Sequence, residues 1–126
     1  MARILIADDE PSLLQMMSEY LCRLGSEVTT AGDAASAGAK FRAEPDQFAA
    51  VVLDATMPGG SMQELAAGML EGRPRLCLIA ASGYPVDVTA LHAAAPGRVM
   101  FLHKPFSPSM LATAVRRMLA TQEESL

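Results

Sequence analysis

The chain has 126 residues, is 51% hydrophobic and 19% charged, and carries a formal net charge of −4. One domain with a core that needs no disulfide or metal staple follows from that length, and the composition excludes disorder. The acidic balance excludes a general nucleic-acid surface, to which the adjacent Arg116 and Arg117 add too little.

Elements alternate along the chain. RILIA (3–7) reads as a short apolar strand ended by Asp8 and Asp9. Acids directly after an apolar run do not fit a secretory signal, and no run reaches the ~18 apolar residues of a membrane span, so the reading is a cytoplasmic protein without membrane contact. Pro11 suits the first turn of a helix, in which Leu13, Leu14, Met17, Leu21 and Leu24 recur at helical spacing until Gly25. A weaker strand covers 27–30. Gly32 and Asp33 form a turn and N-cap, and an Ala-rich helix runs to about residue 43. AAVVL (49–53) is a continuous apolar strand ended by Asp54. A loop at 57–61 leads to a helix over 62–71. LCLIAA (76–81) is the fourth strand, a short helix starts at 85 or 86 and ends at 95, and RVMFL (98–102) is the fifth strand. The last helix covers 107–120, with Pro108 in its first turn. The domain is placed at 1–121 and a frayed tail at 122–126.

Five strands alternating with five helices predict a parallel sheet covered on both faces, and strands that are apolar throughout agree with that. Such sheets bind ligands outside the carboxyl ends of their strands. Those ends carry Asp8 and Asp9, Asp54, Ser82 and Lys104. Carboxylates crowded at ~5 Å repel by roughly 3 kcal/mol per pair at an effective dielectric of ~20. A hard divalent cation such as Mg²⁺ relieves that repulsion, and one carboxylate can then attack a phosphoryl group. Each group alone has a plainer reading: an acid pair in a turn, a Ser-Gly turn, a surface lysine. Only the set of strand ends is specific. Cys22 and Cys77 read as reduced packing residues, and His92 and His103 as structural or exposed. The nine methionines are read chiefly as core filler.

ILIADDE (4–10), VVLDATMP (51–58), LIAASG (78–83) and FLHKPF (101–106) resemble the response-regulator receiver domains over nearly the whole chain. The resemblance implies a flavodoxin-like, doubly wound fold of five parallel strands in the order 2-1-3-4-5 with five helices. It implies Asp54 as phosphoacceptor, Asp9 as direct Mg²⁺ ligand, Asp8 as the acid that holds metal-bound water, and the backbone carbonyl of Thr56 as a further metal oxygen. It also implies Ser82 as the switch hydroxyl, Lys104 as the lysine that pairs with the phosphoryl group, a cis bond to Pro105, and Phe101 as the switch aromatic. The partners it implies are a histidine kinase or histidine phosphotransfer protein and an output protein bound on the face of the fourth helix, fifth strand and fifth helix (85–95, 98–102, 107–119), with no direct DNA binding. Such a domain is no enzyme beyond its own phosphorylation and dephosphorylation.

The sequence departs from that pattern at Met62, where a glycine usually precedes the third helix; Gly59 and Gly60 stand earlier instead. The switch aromatic is Phe rather than Tyr, and Tyr84 has two equal readings: a ring that shields a phosphoryl group from water, or an ordinary surface tyrosine. A free-standing receiver is the leading expectation. The alternatives are a receiver cut from a hybrid kinase or larger regulator, a small flavodoxin-like enzyme, and a docking scaffold that is never phosphorylated. ADDEPS offers acids where the enzyme would need a phosphate-cradling glycine loop.

Overall fold

Five strands and five helices alternate in the computed structural model, which describes residues 2–124. Strand β1 is Arg3–Ala7, β2 Glu27–Ala31, β3 Ala50–Asp54, β4 Cys77–Ser82 and β5 Val99–His103. Helix α1 is Pro11–Arg23, α2 Ala34–Ala43, α3 Met62–Glu71, α4 Thr89–Ala94 and α5 Pro108–Glu124. The sheet is parallel throughout, in the order β2-β1-β3-β4-β5. This is the doubly wound, flavodoxin-like arrangement, and strand order reverses between β1 and β3.

Successive side chains leave opposite faces of a strand, so each central strand feeds two cores. Leu5, Val51, Leu53 and Leu78 pack with α2, α3 and α4. Ile4, Ile6, Val52 and Ile79 pack with Met17 and Leu21 of α1 and Leu111, Val115 and Met118 of α5. All eight strand residues are at most 2% exposed. Burial of this order contributes roughly 1.5–3 kcal/mol per large aliphatic side chain, and it pins the register that brings the strand ends level.

Local chemistry sets the helix boundaries. Pro11 opens α1 and Asp33 caps α2, its Oδ1 accepting the Ser36 amide at 2.6 Å. Ser61 caps α3 by accepting the Glu64 amide. The α3 loop is made by Gly59 and Gly60, with φ of +95° and +137°. A glycine at 62 is therefore unnecessary, and the Met62 side chain is buried in the core instead.

The structure departs from the sequence reading in four details. Helix α4 begins at Thr89 rather than at 85 or 86, because Asp87 Oδ1 accepts the Thr89 amide and holds the preceding residues in a turn. Cys22 is exposed on α1, whereas Cys77 is buried in β4. There burial pushes the Cys77 thiol pKa up to about 11, against a smaller lowering by Arg98. A 3₁₀ turn at Pro45–Gln47, absent from the sequence reading, joins α2 to β3. Helix α5 continues to Glu124, into the stretch expected as a tail; Ser125 and Leu126 lie outside the described residues.

Candidate functional site

The carboxyl ends of β1, β3, β4 and β5 meet in one cleft. Beyond β1 the Asp8 amide still donates to Ala31 at the end of β2, so Asp8 stays tied to the sheet edge. Its Oδ1 accepts the Glu10 amide at 3.0 Å, which turns the chain toward Pro11 and α1. Asp8 is thereby buried at 2% exposure, while Asp9 is exposed. Asp54 is the last residue of β3, paired in register with Ala81, and is also 2% exposed. One carboxylate oxygen from each of Asp8, Asp9 and Asp54 lies within 4.8 Å of the others.

One ammonium answers these charges. The Lys104 amide donates to the Ser82 carbonyl, extending the β4–β5 ladder by one residue, and the Lys104–Pro105 bond is cis. Lys104 Nζ donates to Asp8 Oδ2 at 2.7 Å and lies 3.6 Å from Asp54 Oδ2. Burial lowers the pKa of this ammonium, but the hydrogen bond and charge of Asp8, joined by Asp54, outweigh it and hold the pKa above the ordinary lysine value. Three carboxylates against one lysine leave the cleft net negative. An all-oxygen donor set with residual negative charge fits a hard divalent cation that retains waters, and does not suit a soft metal.

The remaining groups line the rim. Ser82 is fully buried and its Oγ accepts the Tyr84 amide at 3.0 Å. Tyr84 itself is 72% exposed. With Glu10, Leu13, Met16, Lys104 and Phe106 it borders a groove of about 630 Å³ beside the cleft. Phe101 stands apart from the charged groups: it pairs in register with Ala80 and is half-buried against the core on the α2–α4 side. The exposed His103 ring lies 6.1 Å from the Phe101 ring, and its Nδ1 is 2.7 Å from the Lys104 carbonyl, which can only accept. His92 is exposed on α4.

One participant escaped the sequence reading. Thr56 entered only through its carbonyl, yet its amide and its Oγ1 both reach Asp54 Oδ1, at 3.1 and 3.0 Å. The signal was available in the spacing: a hydroxyl residue two positions after an Asp at a strand end can close on that carboxylate.

A doubly wound parallel sheet with buried acids and one lysine converging at its strand ends defines the class as a flavodoxin-like domain with an acidic strand-end site. The chain belongs to the response regulator receiver domain family, which it matches over residues 4–116. It is 34% identical over 119 residues to the DNA-binding transcriptional regulator NtrC of Azospirillum brasilense, an alignment that takes in 94% of this chain and 24% of that protein. The chain thus spans about a quarter of the length of the NtrC relatives it matches. Among solved structures it is similar to a CheY-like response regulator receiver domain protein from Methanospirillum hungatei JF-1, with a TM-score of 0.87 and 29% identity over 100% of this chain and 99% of that one. It is also similar to the response regulator TrrA of Thermotoga maritima in complex with Mg²⁺-BeF, with a TM-score of 0.79 and 29% identity over 94% and 100% of the two chains. Among the described residues no helix is long and apolar enough to cross a membrane.

Proposed function

We propose that this receiver domain accepts a phosphoryl group on Asp54 in a Mg²⁺-dependent reaction and signals through the α4–β5–α5 face. The observation that carries the reading is the Asp54 carboxylate itself, buried at the end of β3 with Oδ2 3.6 Å from Lys104 Nζ and two further acids within 4.8 Å. Asp54 is the nucleophile. Lys104 pairs with the incoming phosphoryl oxygens, which draw it from Asp8. Ser82 donates its hydroxyl proton to one of those oxygens while its Oγ keeps the Tyr84 amide. Asp8, Asp9, Asp54 and the Thr56 carbonyl are the residues that would hold Mg²⁺, whose charge, when bound, would offset that of the phosphoryl group. Phe101 carries the change to the output surface.

The donor is a histidine kinase or histidine phosphotransfer protein, and the output is contact with another protein in the cytoplasm rather than with DNA or membrane. Catalysis extends no further than the domain's own phosphorylation and its reversal. A second reading has support in the relatives: the NtrC regulators extend far beyond the aligned region, as would a parent protein of which this receiver is one module.

Incubation with acetyl phosphate and Mg²⁺ tests the chemistry. Intact mass spectrometry is expected to show one added phosphoryl group, absent without Mg²⁺ and absent in Asp54→Asn. A wild-type rate of phosphorylation in that variant overturns the assignment. For the output face, NMR on the beryllofluoride-loaded protein is expected to show shifts at Phe101 and along α4 and α5. Shifts confined to the Asp54 cleft refute it.

A further inference from the structure

The two outer strands of the sheet are finished differently. On β2, Lys40 Nζ donates to the Thr30 carbonyl, so a lysine guards that edge. On β5, the Arg98 carbonyl accepts the Leu78 amide and the Lys104 amide donates to the Ser82 carbonyl. In a parallel ladder alternate residues bond the same neighbour, so Met100 and Leu102 turn their backbone groups toward β4, and Val99, Phe101 and His103 turn theirs away from the sheet. β5 is the last strand, and among the described residues no side chain bonds to the backbone of those three. Beside it, the half-buried Met100 and Leu102 line a groove of about 310 Å³ with Met110, Ala114 and Arg117 of α5. Met110 is 50% exposed there.

Charge decides what fits this edge. Residues 88–122 contain Arg98, Lys104, Arg116 and Arg117 and no aspartate or glutamate, although acids outnumber bases 14 to 10 in the whole chain. Lys104 is tied to Asp8, and Arg98 to the Arg73 and Leu76 carbonyls. Arg116 borders another groove, toward α1. Arg117 is exposed at the rim of the β5 groove, and among the described residues its guanidinium has no ion pair. A second copy meeting β5 about a two-fold axis would bring the same cation with it, whereas an acidic chain is attracted.

We propose that the free edge of β5 is the docking site for an extended, acidic segment of a partner protein, which adds to the sheet as a further strand. This names the chemistry of the partner on the α4–β5–α5 face and rests on the output reading for its signalling role. The N–H and C=O groups of Val99, Phe101 and His103 supply the backbone bonds. Alternate apolar side chains of the segment enter the groove at Met100, Leu102 and Met110, and its flanking carboxylates meet Arg117. Phe101 lies at the middle of the paired stretch, so the residue that carries the switch also pairs the partner.

The probe is a blocked peptide of alternating Val and Thr flanked by Glu, titrated into the nitrogen-15-labelled full chain with and without beryllofluoride and Mg²⁺. Amide exchange is expected to slow at Val99, Phe101 and His103 and to stay unchanged at Met100 and Leu102, which are already bonded to β4. A counterpart flanked by Lys is expected to bind at least tenfold more weakly, and Arg117→Glu to weaken the Glu-flanked peptide about three- to tenfold, the size of an exposed ion pair replaced by a like-charge contact. Shifts along α5 without slowed exchange at the three edge amides overturn strand pairing in favour of a helix or an irregular segment in the groove. Equal binding of the two peptides overturns the acidic partner. Dimerisation of the peptide-free chain in sedimentation, with the same three amides protected, overturns the choice of occupant in favour of a second copy. Beryllofluoride shifts at Phe101 with unprotected edge amides overturn this proposal alone. Slowed edge exchange with beryllofluoride shifts confined to the Asp54 cleft supports the docking edge and overturns the output reading.

Discussion

Removing one charge from the acid cluster should make the metal-free protein more stable. Asp9 is the informative position, because it is exposed and, among the described residues, its side chain makes no hydrogen bond or ion pair in the cleft. Its carboxylate lies within 4.8 Å of those of Asp8 and Asp54. At that separation each like-charge pair costs about 3.5 kcal/mol at an effective dielectric of ~20 and about 0.9 kcal/mol in bulk water. Exposure places Asp9 toward the watery limit, so two pairs give about 2 kcal/mol. Lys104, bound to Asp8 at 2.7 Å, cancels part of that.

The expected gain for Asp9→Asn is therefore about 1–2 kcal/mol in chelator at low salt, or a rise in melting temperature of roughly 3–8 °C for a domain of this size. At ~1 M salt the Debye length falls to about 3 Å and most of the gain should vanish. Mg²⁺ should reverse the order, stabilising wild type by about 2.7 kcal/mol at a hundredfold excess over its dissociation constant and Asp9→Asn far less. Thermal melts of both proteins with EDTA, with EDTA and salt, and with Mg²⁺ provide the measurement. If Asp9→Asn melts at or below wild type in chelator, or its advantage is unchanged by salt, the repulsion is not there and the case for a cation site loses its physical basis.

Two further outcomes follow from the same geometry. Lys104→Met leaves Asp8 buried without its ion-pair partner and should destabilise the metal-free protein. Because the folded pKa of Lys104 is raised, the wild-type advantage should hold from neutral pH up to the unfolded lysine value of about 10.4 and decline only as pH rises above it; urea melts that show the advantage already gone near pH 8 would contradict this. Gly59→Ala should cost roughly 1–2 kcal/mol, since φ is +95° and the new Cβ would sit 3.3 Å from the Ala34 amide nitrogen; an unchanged melting temperature would show that the loop does not need glycine there.

The sheet was legible because parallel strands buried on both faces must be apolar throughout, and 4–7, 49–53 and 76–81 are. The cleft was legible for a related reason: once the strands are parallel, whatever ends them is brought together, and Asp8, Asp54, Ser82 and Lys104 end them. Features decided by single side-chain hydrogen bonds were read unevenly: the Asp33 cap of α2 was legible, and others were not. Asp87 fell inside the helix expected from 85 or 86, although its capture of the Thr89 amide delays α4 by three or four residues. Its own carboxyl is held below the usual range by those bonds to Thr89. Cys22 has helical spacing that does not distinguish an inner from an outer position, and only the packing of α1 through Met17 and Leu21 settles that it faces out. The Thr56 hydroxyl was overlooked because attention went to its backbone.

The resting cleft already satisfies its own groups, which bears on how much of a phosphoryl group's energy can reach the surface. Lys104 is tied to Asp8, and Thr56 holds Asp54 Oδ1. Among the described residues no buried side-chain polar atom lacks a partner. A phosphoryl group therefore gains only the difference between new and existing bonds. For Ser82 the balance is favourable, because its oxygen accepts from Tyr84 while its proton is free to turn without breaking that bond. Hydrogen bonds to charged acceptors contribute about 1.5–3 kcal/mol, enough to move a two-state equilibrium by one to two decades. Lys104 adds less, since it exchanges one carboxylate for another anion. On the proposed phosphorylation of Asp54 the bias would be concentrated at Ser82, whose in-register neighbour on β5 is His103, itself in ring contact with Phe101. Register thus sets the proposed switch hydroxyl one strand away from the Phe101–His103 ring pair of β5.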